Sequence, residues 1–367
     1  MKNDQNKKVI KIFSFAELQE IGNDSNSPLN GYYELARDID ASEPAIWNDG
    51  GDFKPIGTDE NPFTGKFDGK GHKIVGLHIN DKSGKYKGLF GKIGSGGEVK
   101  NVCLVDATVS GHMYVGSLAG WNEGTVSGCY SLSSCVSSGI EVGGLVGRNT
   151  GTIINSYSKW SKVTGLADVG GLVGDNFGGT VKACYSMNSV HGDAATGGLV
   201  GINEKDGKVN ECYSISFVYG KWDVGGLVGH NHDGSVSNSF AVGSVLGSVK
   251  NIGGLIGSLV SGNVTNTYST CLVEGIDEKG EKGGLIGRAY YNCTVTSSYW
   301  DAETSKKTNS AGGEGMIHSE MKQKSTFIGW DFTNIWGIIE NITYPFLLNA
   351  KNNIMTSIVK QKETQND

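Results

Sequence analysis

The chain has 367 residues, with 32 Lys and Arg against 38 Asp and Glu, a formal net charge of −6, 57 glycines and 5 prolines. That charge, with no long single-sign run, excludes the clustered basic face that nucleic acid requires, and no apolar run reaches the length of a signal peptide or a membrane helix. Glycines at fixed places beside so little proline exclude collagen and low-complexity disorder, and point to repeated tight turns.

In chain order, residues 1–12 read as a polar amino-terminal arm and 13–80 as a cap with leading strands. Ser14-Phe-Ala-Glu17 is a capping box opening a short helix from Phe15 to Ile21, closed by Gly22-Asn23. Tyr32 to Ala36 reads as a strand, followed by the glycine-punctuated stretch Phe63 to Leu77. Residues 81–300 are repeats, 301–348 a carboxy-terminal cap rich in Trp330, Phe332, Trp336, Tyr344 and Phe346, and 349–367 a polar tail. Ser319 to Gln323 is expected as a short helical turn, and solenoid ends need such caps because they leave strand edges unpaired.

The repeats fix the architecture. Eight short phrases close on Gly91, Gly120, Gly147, Gly174, Gly201, Gly229, Gly257 and Gly287, each 27–30 residues after the last, most of them reading Gly-Gly-Leu-Val/Ile-Gly. A fixed period of this size marks a solenoid, propeller or array. Within Val142 to Asp168 the pattern predicts three strands: Val142–Gly147, Ile153–Ser158 and one closing at Val163-Thr-Gly165. Glycine interrupts every candidate helix, and the period is too short for a four-stranded propeller blade. The expected fold is all-β: a single parallel β-solenoid of about eight to ten coils with capped ends, right-handed by analogy with related solenoids.

Stacking then predicts columns. Leu89, Leu118, Leu145, Leu172, Leu199, Leu227, Leu255 and Leu285 form an interior one, and Tyr130, Tyr157, Tyr185, Tyr213, Phe240, Tyr268 and Tyr299 an aromatic ladder. Asn122, Asn149, Asn176, Asn203 and Asn231 form an amide column at a turn. Cys129, Cys184 and Cys212 occupy a position that elsewhere holds Ser156, Ser239, Thr267 and Ser298, so a small side chain is wanted there. Cys184 and Cys212 fall on adjacent rungs, near the lower end of disulfide reach. The apolar neighbours Leu145 and Val146 imply either a bend between them or an apolar stripe facing outward.

The repeat Val-Gly-Gly-Leu-Val-Gly-x-Asn, followed by a Val-x-x-Cys/Ser-Tyr-Ser strand, resembles the GLUG-motif repeat of bacterial and archaeal surface proteins, including the non-catalytic region of immunoglobulin-A-cleaving metalloproteases. The flanks resemble those proteins too: Phe63-Thr-Gly-Lys-Phe-Asp-Gly-Lys-Gly-His72 before the repeats, then Tyr299-Trp-Asp-Ala-Glu-Thr-Ser305 and Phe327-Ile-Gly-Trp-Asp-Phe332 after them. The resemblance implies a secreted or cell-surface β-solenoid, often part of a larger protein, and no defined activity. The zinc motif H-E-x-x-H is absent, so the protease activity does not carry over.

No cofactor or metal is expected. Glu141, Asp168, Asp223, Asn251 and Glu281 sit two positions before each double glycine, with Ala195 breaking the row; the pattern reads as an exposed polar stripe at a turn. His230-Asn-His-Asp233 lacks the further ligands of a metal site. For ligand binding, aromatics outside the ladder are the better candidates, because the repeat does not demand them. Trp222 beside Asp223 leads, with Trp160, Asp168 and Tyr219. The function expected is a non-enzymatic, adhesin-like binding or spacer module at the cell surface, its partner an extracellular glycan or a host or cell-surface protein. The alternative is a polysaccharide-degrading β-helix, a lyase or glycosidase, or a phage tailspike-type receptor-binding one. Oligomeric state stays open, and neither nucleic acid nor membrane insertion is expected.

Overall fold

The computed structural model describes residues 8–42, 52–278 and 280–350. Almost every strand is paired in parallel with its equivalent one coil away, giving one long sheet of eleven strands, one of eight, and a broad sheet of twenty segments. The chain is therefore a β-solenoid with three faces. The tail beyond residue 350 lies outside the described residues.

A single coil shows why. Val146–Asn149 lies on the eight-stranded face, Thr152–Ile154 on the eleven-stranded face, and Tyr157–Thr164 and Ala167–Gly170 on the broad face. These four segments replace the three strands expected from the sequence. Val142–Gly147 is not one strand: it breaks at Gly144-Leu145, between Ile140–Gly143 and Val146–Asn149. Ile153–Ser158 breaks at Asn155, whose φ of 52° turns the corner in the left-handed region that Asn tolerates better than most residues. The double glycine is required at its corner: a Cβ on Gly144 would meet the Gly171 carbonyl oxygen at 2.2 Å and Ser158 Oγ at 2.5 Å.

The bend also resolves the two apolar columns. Leu145 and Val146 are both fully buried, as are Leu172 and Val173 in the next coil, so neither column forms an outward stripe. Burying one such leucine contributes roughly 1.5–3 kcal/mol. The amide column is buried and bonds along the axis: Asn122, Asn149, Asn176 and Asn203 each donate from Nδ2 to the next Oδ1 at 2.7–2.8 Å. At the Cys/Ser/Thr position a side chain accepts from the backbone one coil earlier, as when Cys129 N–H donates to Ser156 Oγ at 3.1 Å and Cys184 N–H to Cys212 Sγ at 3.5 Å. That position selects a small group with a lone pair, and Cys184 and Cys212 are free thiols.

The aromatic ladder stacks from Tyr130 to Tyr268 with ring centroids 4.6–5.1 Å apart and planes within 9°. The carboxy-terminal segment folds back along this ladder. Trp336 packs on Phe240 and Tyr268, Tyr268 Oη donates to the Pro345 carbonyl at 2.7 Å, and Asn349 reaches Glu211. At the other end Val9–Ile12, inside the segment expected as an arm, is a strand paired with Tyr32–Leu35. Ser14 Oγ accepts from Glu17 N–H and caps the helix Phe15–Glu20, one residue shorter than expected. The turn expected at Ser319–Gln323 is a 3-10 helix at Glu320–Lys322.

Candidate functional site

Two outward columns meet along one seam of the solenoid. The first is the position two before the double glycine: Tyr86, Tyr114, Glu141, Asp168, Ala195, Asp223 and Asn251 all have φ between 45° and 58°. Each is left out of the strand pairing while the register on either side is unchanged, as Glu141 is between the Ile140–Ala167 and Val142–Val169 pairs. The second is the residue after the closing glycine: Lys92, Trp121, Arg148, Asp175, Ile202, His230, Ser258 and Arg288, register neighbours on the eight-stranded face. The closing glycine brings the two together, since a Cβ on Gly201 would meet the backbone of Asp168 and Val169 at 2.5 Å.

Side chains pair across the seam coil by coil. Tyr114 lies 5.5 Å from Trp121. Glu141 faces Arg148 at 3.8 Å, Asp223 faces His230 at 3.0 Å, and Glu281 faces Arg288 at 2.6 Å. Trp121 is covered by Lys92 at 4.3 Å and by Arg148 at 5.1 Å, so its ring is a rung rather than an open platform. An open cleft of about 670 Å³ lined by Asp59 and Tyr86, among others, adjoins this end.

The acidic row is an exposed stripe only at Glu281. Glu141 and Asn251 are buried, while Asp168 and Asp223 are half-buried, because the left-handed backbone at these four tucks them against the neighbouring face. The Asp168 coil breaks the acid–base rule, for its partner across the seam is a second acid, Asp175. Burial pushes Asp175 up to about 8, Glu141 up to about 7 and Asp168 up to about 6, with neighbouring carboxylates adding to each. Arg148 stands 3.3 Å from Asp175 and opposes the shift, but burial together with Glu141, Glu204 and Asp168 outweighs one guanidinium.

Of the five residues expected from sequence, the seam takes in Asp168 and Asp223. Asp223 accepts from Asn251 Nδ2 at 2.6 Å and pairs with His230. Trp222 stands beside it, 41% exposed, in a column running Ile140, Ala167, Ala194, Trp222, Lys250. Neighbours in such a column are roughly 4.8 Å apart, and the methyl groups of Ala194 and Ala167 are too short to cover an indole face. Trp160, 66% exposed, lies on another stretch of the broad face, with Lys159 Nζ 4.8 Å from its ring. Tyr219 packs edge-on against His191 at 5.9 Å. Neither Trp160 nor Tyr219 belongs to a seam column.

Arg148, Asp175 and Glu204 were not singled out by sequence reasoning, and His230 was weighed only within His230-Asn-His-Asp233. The available signal was positional: they follow the closing glycine, or in the case of Glu204 the amide column, at a constant offset. His230 and His232 do not gather a metal set; their rings are 6.2 Å apart and His230 is held by Asp223. Among the described residues, the group with three metal-type ligand atoms within 4.8 Å is Asp301, Glu303 and His318. Asp301 there accepts from Glu303 N–H, Thr304 N–H and the Tyr344 hydroxyl, and contacts His318, so it ties the last coil to the folded-back segment.

The description "The GLUG motif" matches residues 138–164 and 220–246, the coils that carry Glu141 and Trp222. The chain carries GLUG-motif repeats. It is 42% identical to halomucin of Haloquadratum walsbyi over 121 residues, 32% of this chain and 1% of that protein. It is 40% identical over 99 residues, 26% of this chain and 11% of the relative, to an Evansella cellulosilytica protein provisionally described as a Gly-rich membrane protein. The chain thus spans only a small part of the length of either relative. A crystal structure from Bacteroides ovatus, provisionally described as an immunoglobulin A1 protease, superposes with a TM-score of 0.53 at 18% identity, covering 95% of this chain and 94% of that one. At that identity the likeness shows the fold alone. No helix among the described residues is long and apolar enough to cross a membrane.

Proposed function

We propose that this chain is a cell-surface β-solenoid module that binds glycan, with Trp222 as its platform. A surface setting is supported by the halomucin and membrane-protein relatives. The observation that carries the binding reading is Trp222, 41% exposed in a column whose two preceding positions are the small residues Ala194 and Ala167. Such a face takes the C–H side of a sugar ring, and the neighbouring carboxylates accept from its hydroxyl groups. The stacked Tyr157, Tyr185 and Tyr213 are poor candidates, since both faces of each ring are already used within the ladder. The test is a glycan array with wild-type protein and Trp222→Ala. Loss of the retained glycans in the variant supports the site; retention by both removes it.

A second reading, polysaccharide cleavage, is favoured by the raised carboxylates, since a general acid must hold its proton near neutral pH. Against it, Glu141 Oε2 and Asp175 Oδ1 are sealed from solvent, out of reach of a glycosidic oxygen. Release of new reducing or unsaturated ends from any polysaccharide by purified protein would establish this reading instead.

A further inference from the structure

The coil ladder opens at its amino-terminal end. Gln19, in the capping helix, takes both backbone groups of Lys54: the N–H donates to Gln19 Oε1 at 2.8 Å and the carbonyl accepts from Gln19 Nε2 at 3.0 Å. Among the described residues the strand Lys85–Lys87 pairs only with the following coil, Lys85 with Met113 and Lys87 with Val115. The cleft of about 670 Å³ lies between these two stretches, and its volume falls within the roughly 300–1,000 Å³ of small-ligand sites. Its walls are tied in place. Thr58 N–H donates to the Asn61 carbonyl at 2.9 Å, Asn61 N–H to Thr58 Oγ1 at 3.1 Å, and Gly22 N–H to the Ser27 carbonyl at 2.7 Å.

Tyr86 gives this cleft an aromatic wall. Tyr114 stacks on one face of its ring, 4.9 Å away and within 22° of parallel. Tyr86 is the first member of that column, so its other face is turned to the cleft and the preceding stretch 54–61. The hydroxyl donates to Asp59 Oδ2 at 3.1 Å, and Asp59 Oδ1 accepts from Lys92 Nζ at 2.8 Å. Lys92, 8% exposed, is held further by Glu123 at 3.0 Å and by the Trp121 ring at 4.3 Å. The ring is therefore fixed before a ligand arrives, which lowers the ordering cost of binding. Ile21, Leu29 and Pro55 add an apolar margin.

The charges around the cleft are unevenly engaged. Asp59 is held by Lys92 and Tyr86, Lys87 pairs with Asp81 at 2.8 Å, and Glu60 accepts from Thr58 Oγ1 at 3.1 Å. Lys54 and Lys85 line the same cleft and have no ion pair with any described residue. An aromatic face with two unengaged ammonium groups suits a ring that has an apolar C–H side and carries an anion. We infer that the cleft is a second binding site, separate from Trp222, for a pyranose bearing a carboxylate, its C–H side on Tyr86 and its carboxylate on Lys54 and Lys85.

The experiment is titration calorimetry at low ionic strength, where exposed charges are least screened. Trigalacturonate is compared with its methyl ester, which keeps the rings and removes the charge; 3′-sialyllactose against lactose probes the other source of a sugar carboxylate. Wild-type protein is expected to prefer the acid in at least one pair by about tenfold, the factor that 1.4 kcal/mol supplies, and the pair identifies the source. Lys54→Ala with Lys85→Ala should lose that preference, and Tyr86→Leu should lose the acid. Circular dichroism checks folding, and the double variant, confined to exposed side chains, decides the matter even where Tyr86→Leu fails to fold. Trp222→Ala should bind the acid as wild type does, so uncharged glycans on the array decide the Trp222 site and calorimetry decides this one. Equal affinity within both pairs, or no binding, overturns the inference. Equally tight binding of triglutamate shows charge attraction alone and overturns it too. A preference lost in Trp222→Ala and kept in the double variant moves the ligand to the Trp222 face, which overturns this site and leaves the glycan reading standing.

Discussion

Asn176 illustrates how much one residue carries in a stacked fold. Its Nδ2 donates to Asn203 Oδ1 and the Gly179 carbonyl, and its Oδ1 accepts from Asn149. Asn176→Ala strips a buried acceptor from one neighbour and a buried donor from the other. A loss of about 2–4 kcal/mol is expected, from two groups at about 1–3 kcal/mol each with partial relief. Urea unfolding measures it. The Asn column was legible in sequence because the same residue recurs. Arg148, Asp175 and the seam position of His230 were not, because that position changes identity from Lys92 to Trp121, Arg148, Asp175, Ile202 and His230, and a variable column shows no repeat.

At the scale of elements, hydrophobic period and glycine spacing made the coils legible, while the corners were not. The apolar neighbours Leu145 and Val146 left a bend and an outward stripe as alternatives; the bend is what forms, at Gly144, where a Cβ would clash, beside the left-handed backbone at Glu141. Residues 301–348 read as a carboxy-terminal cap, and within them the stretch 318–348 runs back along the side of the solenoid as a clasp. The reason is long-range: Trp336 finds its partners in Phe240 and Tyr268, far away in sequence. Trp336 is fully buried, so Trp336→Ala should cost the clasp about 3–5 kcal/mol. Limited proteolysis should then cut within 318–348 while coils before residue 240 stay intact. Wild-type resistance in that variant would show that the clasp does not depend on this ring.

For the whole molecule, the acid cluster sets a pH dependence. Glu141, Asp168 and Asp175 hold protons in the folded state, at about 7, 6 and 8, that the unfolded chain releases nearer 4. The stability tied to those protons is therefore complete below the unfolded values and lost as pH rises through the folded ones. Arg148, the guanidinium facing Glu141 and Asp175, and His230, which faces Asp168, oppose these shifts without reversing them. The melting temperature should fall from about pH 5 to about pH 8, and Asp175→Asn should flatten the fall. A profile rising over that range would mean that Arg148 dominates.

The placement of the binding face on the Trp222 side of the seam is tested most directly by hydrogen–deuterium exchange with and without a glycan that the array retains. Added protection is expected in Asp193–Thr196 and Lys221–Val224, with the aromatic ladder from Tyr130 to Tyr213 unchanged. Protection along that ladder instead, or no ligand-dependent change anywhere, would contradict it.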